Sequence, residues 1–199
     1  MTTTAEVLHR LDAALYRVGT DPTGLAALRR GAGRTPMDLP GTWPVLLPVV
    51  HDAPWAEEAI HHALTLYSVH QQSVPTSMHK PGVGLGAAAR QLRAQRDGGG
   101  IDRRLLAAAS AASTAALAQH LRGLVTLLRG ERLPLDYLQH TRDLLAWPDP
   151  QRASVVRRRW ARDLYATSAG PPSPDSTGGD YDVAPVGEPT SIHPLRSHL

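Results

Sequence analysis

Of the 21 basic side chains in this 199-residue chain, 20 are arginine, and Lys80 is the single lysine. They recur on the ends and outer faces of helical stretches: Arg29, Arg30, Arg34, Lys80, Arg90, Arg103, Arg104, Arg122, Arg129 and the run Arg157 to Arg159. A guanidinium keeps its charge and meets phosphate through a planar fork. Gathered by a fold into one track, these groups would grip a phosphate backbone in a sequence-tolerant, salt-sensitive way. Aromatic residues make up only 5% of the chain, so base stacking is expected to be a minor term.

Other chemistry finds no constellation. The serines lack a nucleophile-elbow context, and the acids are scattered or sit at helix caps, so no catalytic residue is assigned and the chain reads as a non-enzyme. Glu58 and His62, four apart, could face one way from a helix, and His61 and His70 lie nearby. No third ligand follows at metal-site spacing, so neither a metal nor any other cofactor is expected. The Gly82-Val83-Gly84-Leu85-Gly86 string follows a loop rather than a strand and has the wrong third-glycine spacing for a dinucleotide fingerprint. As a tight lead into a helix it could still offer free N–H groups to a phosphate. His120 is expected as a partly buried packing residue at the edge of an apolar stripe.

The positioning elements read as helices throughout. Within Asp102–Arg132, Leu117, Leu121, Leu124 and Leu128 form one buried stripe with Val125, a period near 3.6. Arg122 and Arg129, seven apart, share a face off that stripe. Ser110, Ser113 and Thr114 are points where this stretch could break and be capped again. Thr4 to Val18 reads as a helix capped by Thr4. Asp21-Pro22 opens one ending at Gly31, and Asp149-Pro150 opens the last. Pro54 to Gln72 reads as one strong helix with Trp55 on its apolar face, Leu85 to Arg96 as another, and Pro134 starts one ending at Trp147-Pro148. Between Ala32 and Pro54 the prolines leave room only for short turns, with Trp43, Leu46, Leu47 and Val50 anchoring them to the core. Val155, Val156, Trp160 and Leu164 are expected to face inward, with Arg152, Arg157, Arg158, Arg159 and Arg162 outside.

Hydrophobic residues at 42% and charged residues at 20% are ordinary for a globular chain. The fold class is therefore all-α, a bundle of eight or nine helices. Asp97 to Gly100 is a flexible break, giving an N-terminal helical part over 1–96 and a C-terminal one over 101–167 packed on it. Residues 168–199, rich in Pro, Gly and Ser, are expected to be a flexible tail. From Pro171 on, four acids stand against Arg196, a net −3, which leaves +6 on the rest of the +3 chain. No apolar run suits a membrane, the N-terminus has no signal core and cysteine is absent, which favours a cytoplasmic home.

Several short pieces in order also resemble the CasB family, the small subunit of the type I-E CRISPR Cascade surveillance complex. They are Leu28-Arg29-Arg30-Gly31, Trp43, Ala63-Leu64 with Tyr67, His70 and Gln71, then Met78-His79, Leu85 to Ala88 and Arg103-Arg104. Leu121 to Val125 with Leu128-Arg129 follow, then Asp136-Tyr137, Asp143-Leu144, and Trp160 with Arg162 to Tyr165. The resemblance spans about residues 7 to 167 and implies an all-α, non-catalytic protein present as two copies beside other Cascade subunits and guide RNA. It implies a role in stabilising the R-loop by holding the displaced non-target DNA strand. Its matched motifs carry Arg29, Arg30, Arg103, Arg104, Arg122 and Arg129 as nucleic-acid contacts, with Lys80 beside Met78-His79 as a further candidate. Two other classes fit the residues: a helical scaffold whose arginines meet acidic protein partners, and a helix-turn-helix regulator, for which no clear recognition helix is found.

Overall fold

The computed structural model describes residues 2–166, which form one compact unit. The tail expected beyond them lies outside the described residues. Among those described are nine α-helices and no strand: α1 Thr4–Gly19, α2 Pro22–Gly31, α3 Trp43–Val50, α4 Glu57–Gln71, α5 Leu85–Gln95, α6 Gly98–Ala109, α7 Thr114–Gly130, α8 Tyr137–Ala146 and α9 Pro150–Tyr165. The chain is all-α, as its periodicity predicts.

Helix starts follow local chemistry. Thr3, rather than Thr4, caps α1 in a reciprocal capping box with Glu6. Asp21, Ser113, Asp136 and Asp149 cap α2, α7, α8 and α9 through their side chains. Two expectations are corrected here. Gly98–Gly100 are not a break but the first turn of α6, because the Asp97 carboxylate accepts the Gly99 N–H and satisfies a free amide. Pro134 does not open α8. It lies in a short extended segment, where Leu135 bonds to Met78 and Lys80 backbones before Asp136 caps the helix.

α4 is the central element. Every residue from Ala59 to Gln71 is buried, and α1, α2, α3, α7 and α8 all pack on it. Its alanines and small polar residues permit approach from every side. α7 packs on α4 along one edge and on α6 along another, while α5 lies against α6 and α9. The α7 stripe is fully buried: Leu117, Leu121, Leu124, Val125 and Leu128 have no exposed surface. Leu124→Ala is expected to destabilise the fold by about 2–5 kcal/mol, whereas Thr126→Ala on the exposed face should cost under about 0.5 kcal/mol. Equal midpoint shifts in urea unfolding would place the buried face elsewhere.

The glycine string before α5 has a packing reason. A Cβ on Gly86 would come 2.4 Å from the Trp160 carbonyl oxygen, so only glycine lets α5 and α9 approach this closely. The Gly82 amide donates to the Asp136 carboxylate at 2.8 Å and is thereby not available to a phosphate.

Several apolar placements differ from the pattern. α3 is a two-turn helix despite Pro48. It buries Leu46 and Val50 but leaves Trp43 and Leu47 outward. Trp55 sits in a 3-10 turn, Pro54–Ala56, before α4 begins, and is half exposed. Val155 is also half exposed. In each case the helix starts or rotates so that a neighbour takes the buried position: Leu46 for Leu47, Ala56 for Trp55 and Val156 for Val155.

Candidate nucleic-acid interface

α7 collects basic groups on both edges of its exposed ridge. On the α4 side, Arg122 lines a cleft of about 390 Å³ together with Arg34, His62, Leu66 and Gln119. His61 helps build this cleft from below. Its Nε2–H points at the Gly31 and Arg34 carbonyls, 3.2 and 3.0 Å away, and so holds the loop that presents Arg34. Gly33 in that loop has φ +84, a conformation glycine adopts without strain.

On the α6 side, Arg103, Arg104 and His120 line a second hollow with Gly100 and Ala107. α7 makes room for these side chains with two glycines seven apart. The Arg104 Nη1 lies 3.4 Å from where a Gly123 Cβ would be, and the Arg96 Nη2 lies 3.5 Å from that of Gly130. Arg96 is paired with Glu131 at 2.5 Å, while Arg103, Arg104 and Arg122 have no ion-pair partner among the described residues. Arg34 and Arg122 thus stand at one edge of α7, and Arg103 and Arg104 at the other. His120 is exposed, not the packing residue expected: it borders the open hollow beside Arg103 and Arg104 on the α6 edge instead of lying under a neighbouring helix.

The other candidates sit differently. Arg29 and Arg30 lie in the last turn of α2, one turn before the loop of Arg34, where they also favour the helix dipole. Arg129 reaches the C-terminus of α4, donating from Nη1 to the Val69 carbonyl at 3.2 Å and to the Gln72 Oε1 at 2.8 Å. It shares the α4-facing edge with Arg122, but its guanidinium is partly engaged. Lys80 is exposed on the loop before α5, its backbone tied to Leu135, and lines neither hollow. The α9 run is divided. Arg157 donates to the Ala109 carbonyl and lies 5.0 Å over the Trp147 ring, Arg159 pairs with Asp143, and Arg158 alone is fully outward.

Glu58 and His62 stand 3.6 Å apart. Among the described residues no further acid, histidine or cysteine joins them at ligand spacing, and no helix is long and apolar enough to cross a membrane.

The sequence pattern of the CRISPR-associated protein Cse2 family matches residues 24–165. The chain belongs to this family. Among solved structures, CasB from Thermobifida fusca aligns at 36% identity and a TM-score of 0.69, covering 82% of this chain and 97% of that one. A CRISPR-associated protein of the Cse2 family from Thermus thermophilus aligns at 25% identity and 0.65, over 84% of this chain and all of that one. A chain of a CRISPR RNA-guided surveillance complex aligns at 25% and 0.64, over 79% and 95%. No curated protein matches the sequence.

The Cse2 resemblance rests largely on residues that hold this fold together. The Gln71 side chain spans the loop after α4, donating to the Val74 and Thr76 carbonyls and accepting the Met78 N–H at 2.8 Å. His70 donates from Nε2 to the Leu133 carbonyl at 3.0 Å, which leaves Nδ1 to accept the Tyr137 hydroxyl proton at 3.1 Å. Asp143 joins α8 to Trp160 and Arg159 of α9. In this Cse2-family chain Arg103, Arg104 and Arg122 are among the matched residues that face outward, as are Arg30, Trp43, Arg162 and Tyr165.

Proposed function

We propose that this chain is a cytoplasmic, non-catalytic subunit of an RNA-guided DNA-surveillance complex that binds nucleic-acid backbone and stabilises the R-loop, chiefly by holding the displaced strand. The observation that carries this reading is the set of guanidinium groups without ion-pair partners on the two edges of α7, Arg34 and Arg122 on one and Arg104 and Arg103 on the other; a single strand crossing α7 would join them into one track. Arg29 and Arg30 extend it from the end of α2. Arg129 joins it with the donors not given to α4, and Lys80 is a separate outlying contact. The partners are the other subunits, the guide RNA and a second copy of the chain. Base pairing supplies sequence recognition, and a track of this kind grips phosphates whatever the sequence.

The test is target-DNA binding by the reconstituted complex across a salt series. Arg103→Ala, Arg104→Ala and Arg122→Ala together should weaken binding about tenfold or more and flatten the salt slope by about two units for a single strand. Guide-RNA assembly and unfolding midpoint should hold. Unchanged affinity and slope would sink the reading. Silent DNA binding with loss of subunit retention would favour a protein scaffold with acidic partners instead.

A further inference from the structure

The cleft between α4, α7 and the loop that follows α2 has features that gripping phosphate does not require. Its floor is apolar, formed by Leu66, Val69 and Ala118. Its volume of about 390 Å³ falls within the roughly 300–1,000 Å³ of small-molecule sites. The His62 side chain, only 9% exposed, forms part of the wall, and burial lowers its pKa, which favours a neutral, planar ring. Gln119 adds a hydrogen-bonding group, the buried Thr65 hydroxyl being already given to the His62 carbonyl, and Arg34 and Arg122, without ion-pair partners, are exposed at the rim.

We propose that this cleft receives one unstacked base from the single strand on the arginine track, seated on the apolar floor against His62, with its flanking phosphates on Arg34 and Arg122. This rests on the nucleic-acid reading above. An apolar side chain from another protein would fill the same floor, but it would leave Arg34 and Arg122 with a single acid in the cleft, Glu58, which already stands 3.6 Å from His62. A nucleotide supplies both a flat apolar face and the anions on either side. Every base has such a face, so the site tolerates sequence. It adds to the backbone grip a non-electrostatic term that salt does not screen.

The experiment uses the full chain and two single-stranded DNA oligonucleotides of equal length, one with bases and one fully abasic. The base-bearing strand should bind about tenfold more tightly, while the two salt slopes coincide. Ala115→Trp, which fills the cleft from its exposed rim without touching a charge, should reduce the base-bearing strand to the abasic affinity. In the unaltered chain, a 4-thiothymidine strand should photocrosslink to the peptides carrying His62 and Gln119, a readout that needs no variant. Equal affinities in the unaltered chain, a preference that survives Ala115→Trp, or crosslinks confined to other peptides would overturn the proposal. So would an Ala115→Trp chain that keeps its base preference but fails to assemble, since a neighbouring subunit would then own the cleft. The underlying reading fails in a different manner: neither strand then binds with any salt dependence.

Discussion

Lowering the pH from neutral to about 4 will remove on the order of 6 kcal/mol of stability, with His70 and His140 the main cause. Both are buried, and burial holds each at a folded-state pKa of about 4 against 6.5 for the free side chain. The nearby Arg129 and His140 also hold His70 neutral, and its Nδ1 accepts from the Tyr137 hydroxyl, while the Leu133 carbonyl at Nε2 works the other way. His140 has neither ring nitrogen hydrogen-bonded, so charging it has only the nearby carboxylates of Asp136 and Asp143 to favour it. Because the folded pKa is depressed, the unfolded chain takes up protons first. The stability is therefore complete above about 6.5, falls as pH drops through that value, and stops falling from these two groups below about 4. Each contributes about 3 kcal/mol over the window, at about 1.4 kcal/mol per pKa unit. That sum is comparable with the whole stability of an ordinary domain. His61 and His62 are shifted in the same direction. Urea unfolding at a series of pH values measures the slope. His140→Leu removes one titrating group and no hydrogen bond, so it should stay within about 1 kcal/mol of the parent at neutral pH and lose about one proton of pH dependence. An identical slope in both chains would show that His140 is not buried as a neutral ring.

Asp143→Ala will destabilise the chain by about 3 kcal/mol, near the low end for removing one member of a buried ion pair. The Asp143 side chain is 2% exposed and that of Arg159 is 32% exposed, so water screens part of the lost pairing. More is lost than the pair. Asp143 also accepts the Trp160 indole N–H at 2.8 Å and a Gln139 amide N–H at 3.1 Å. Truncation strands the indole donor in the core beside a cavity, and an unmet buried donor costs about 1–3 kcal/mol. The effect reaches the interface between α8 and α9, and through the Gly86–Trp160 contact also α5. Urea unfolding of the variant measures the loss directly. A change below about 1 kcal/mol would mean that Trp147 and Trp160, stacked with ring centroids 5.4 Å apart, hold these helices without the carboxylate.

Both predictions concern residues whose role the sequence shows only in part. The 3.6-residue stripe of α7 and the caps at Asp21, Ser113 and Asp149 are local patterns, and the helices begin and bury where those patterns say. α4 is different. Its small residues face every direction, so periodicity within it cannot show that five other helices surround it. Trp43, Trp55 and Val155 are apolar enough for a core, but which apolar residue is covered depends on where a neighbouring helix crosses, and that crossing is set by packing far along the chain.

The same division runs through the candidate site. Arg122, Arg103 and Arg104 were legible as basic positions off an apolar face. That Arg103 and Arg104 meet His120, while Arg34 meets Arg122, is decided by the α6–α7 and α4–α7 contacts. Whether an arginine is free is likewise non-local. Arg129, Arg157 and Arg159 carry the same charge as Arg122, yet each lies beside a helix-end carbonyl or a buried carboxylate contributed by another element. The composition determined how much positive charge the surface holds. The folded arrangement of helix ends determined which guanidinium groups remain unpaired, because a charge is free only where no distant acceptor has been packed within reach.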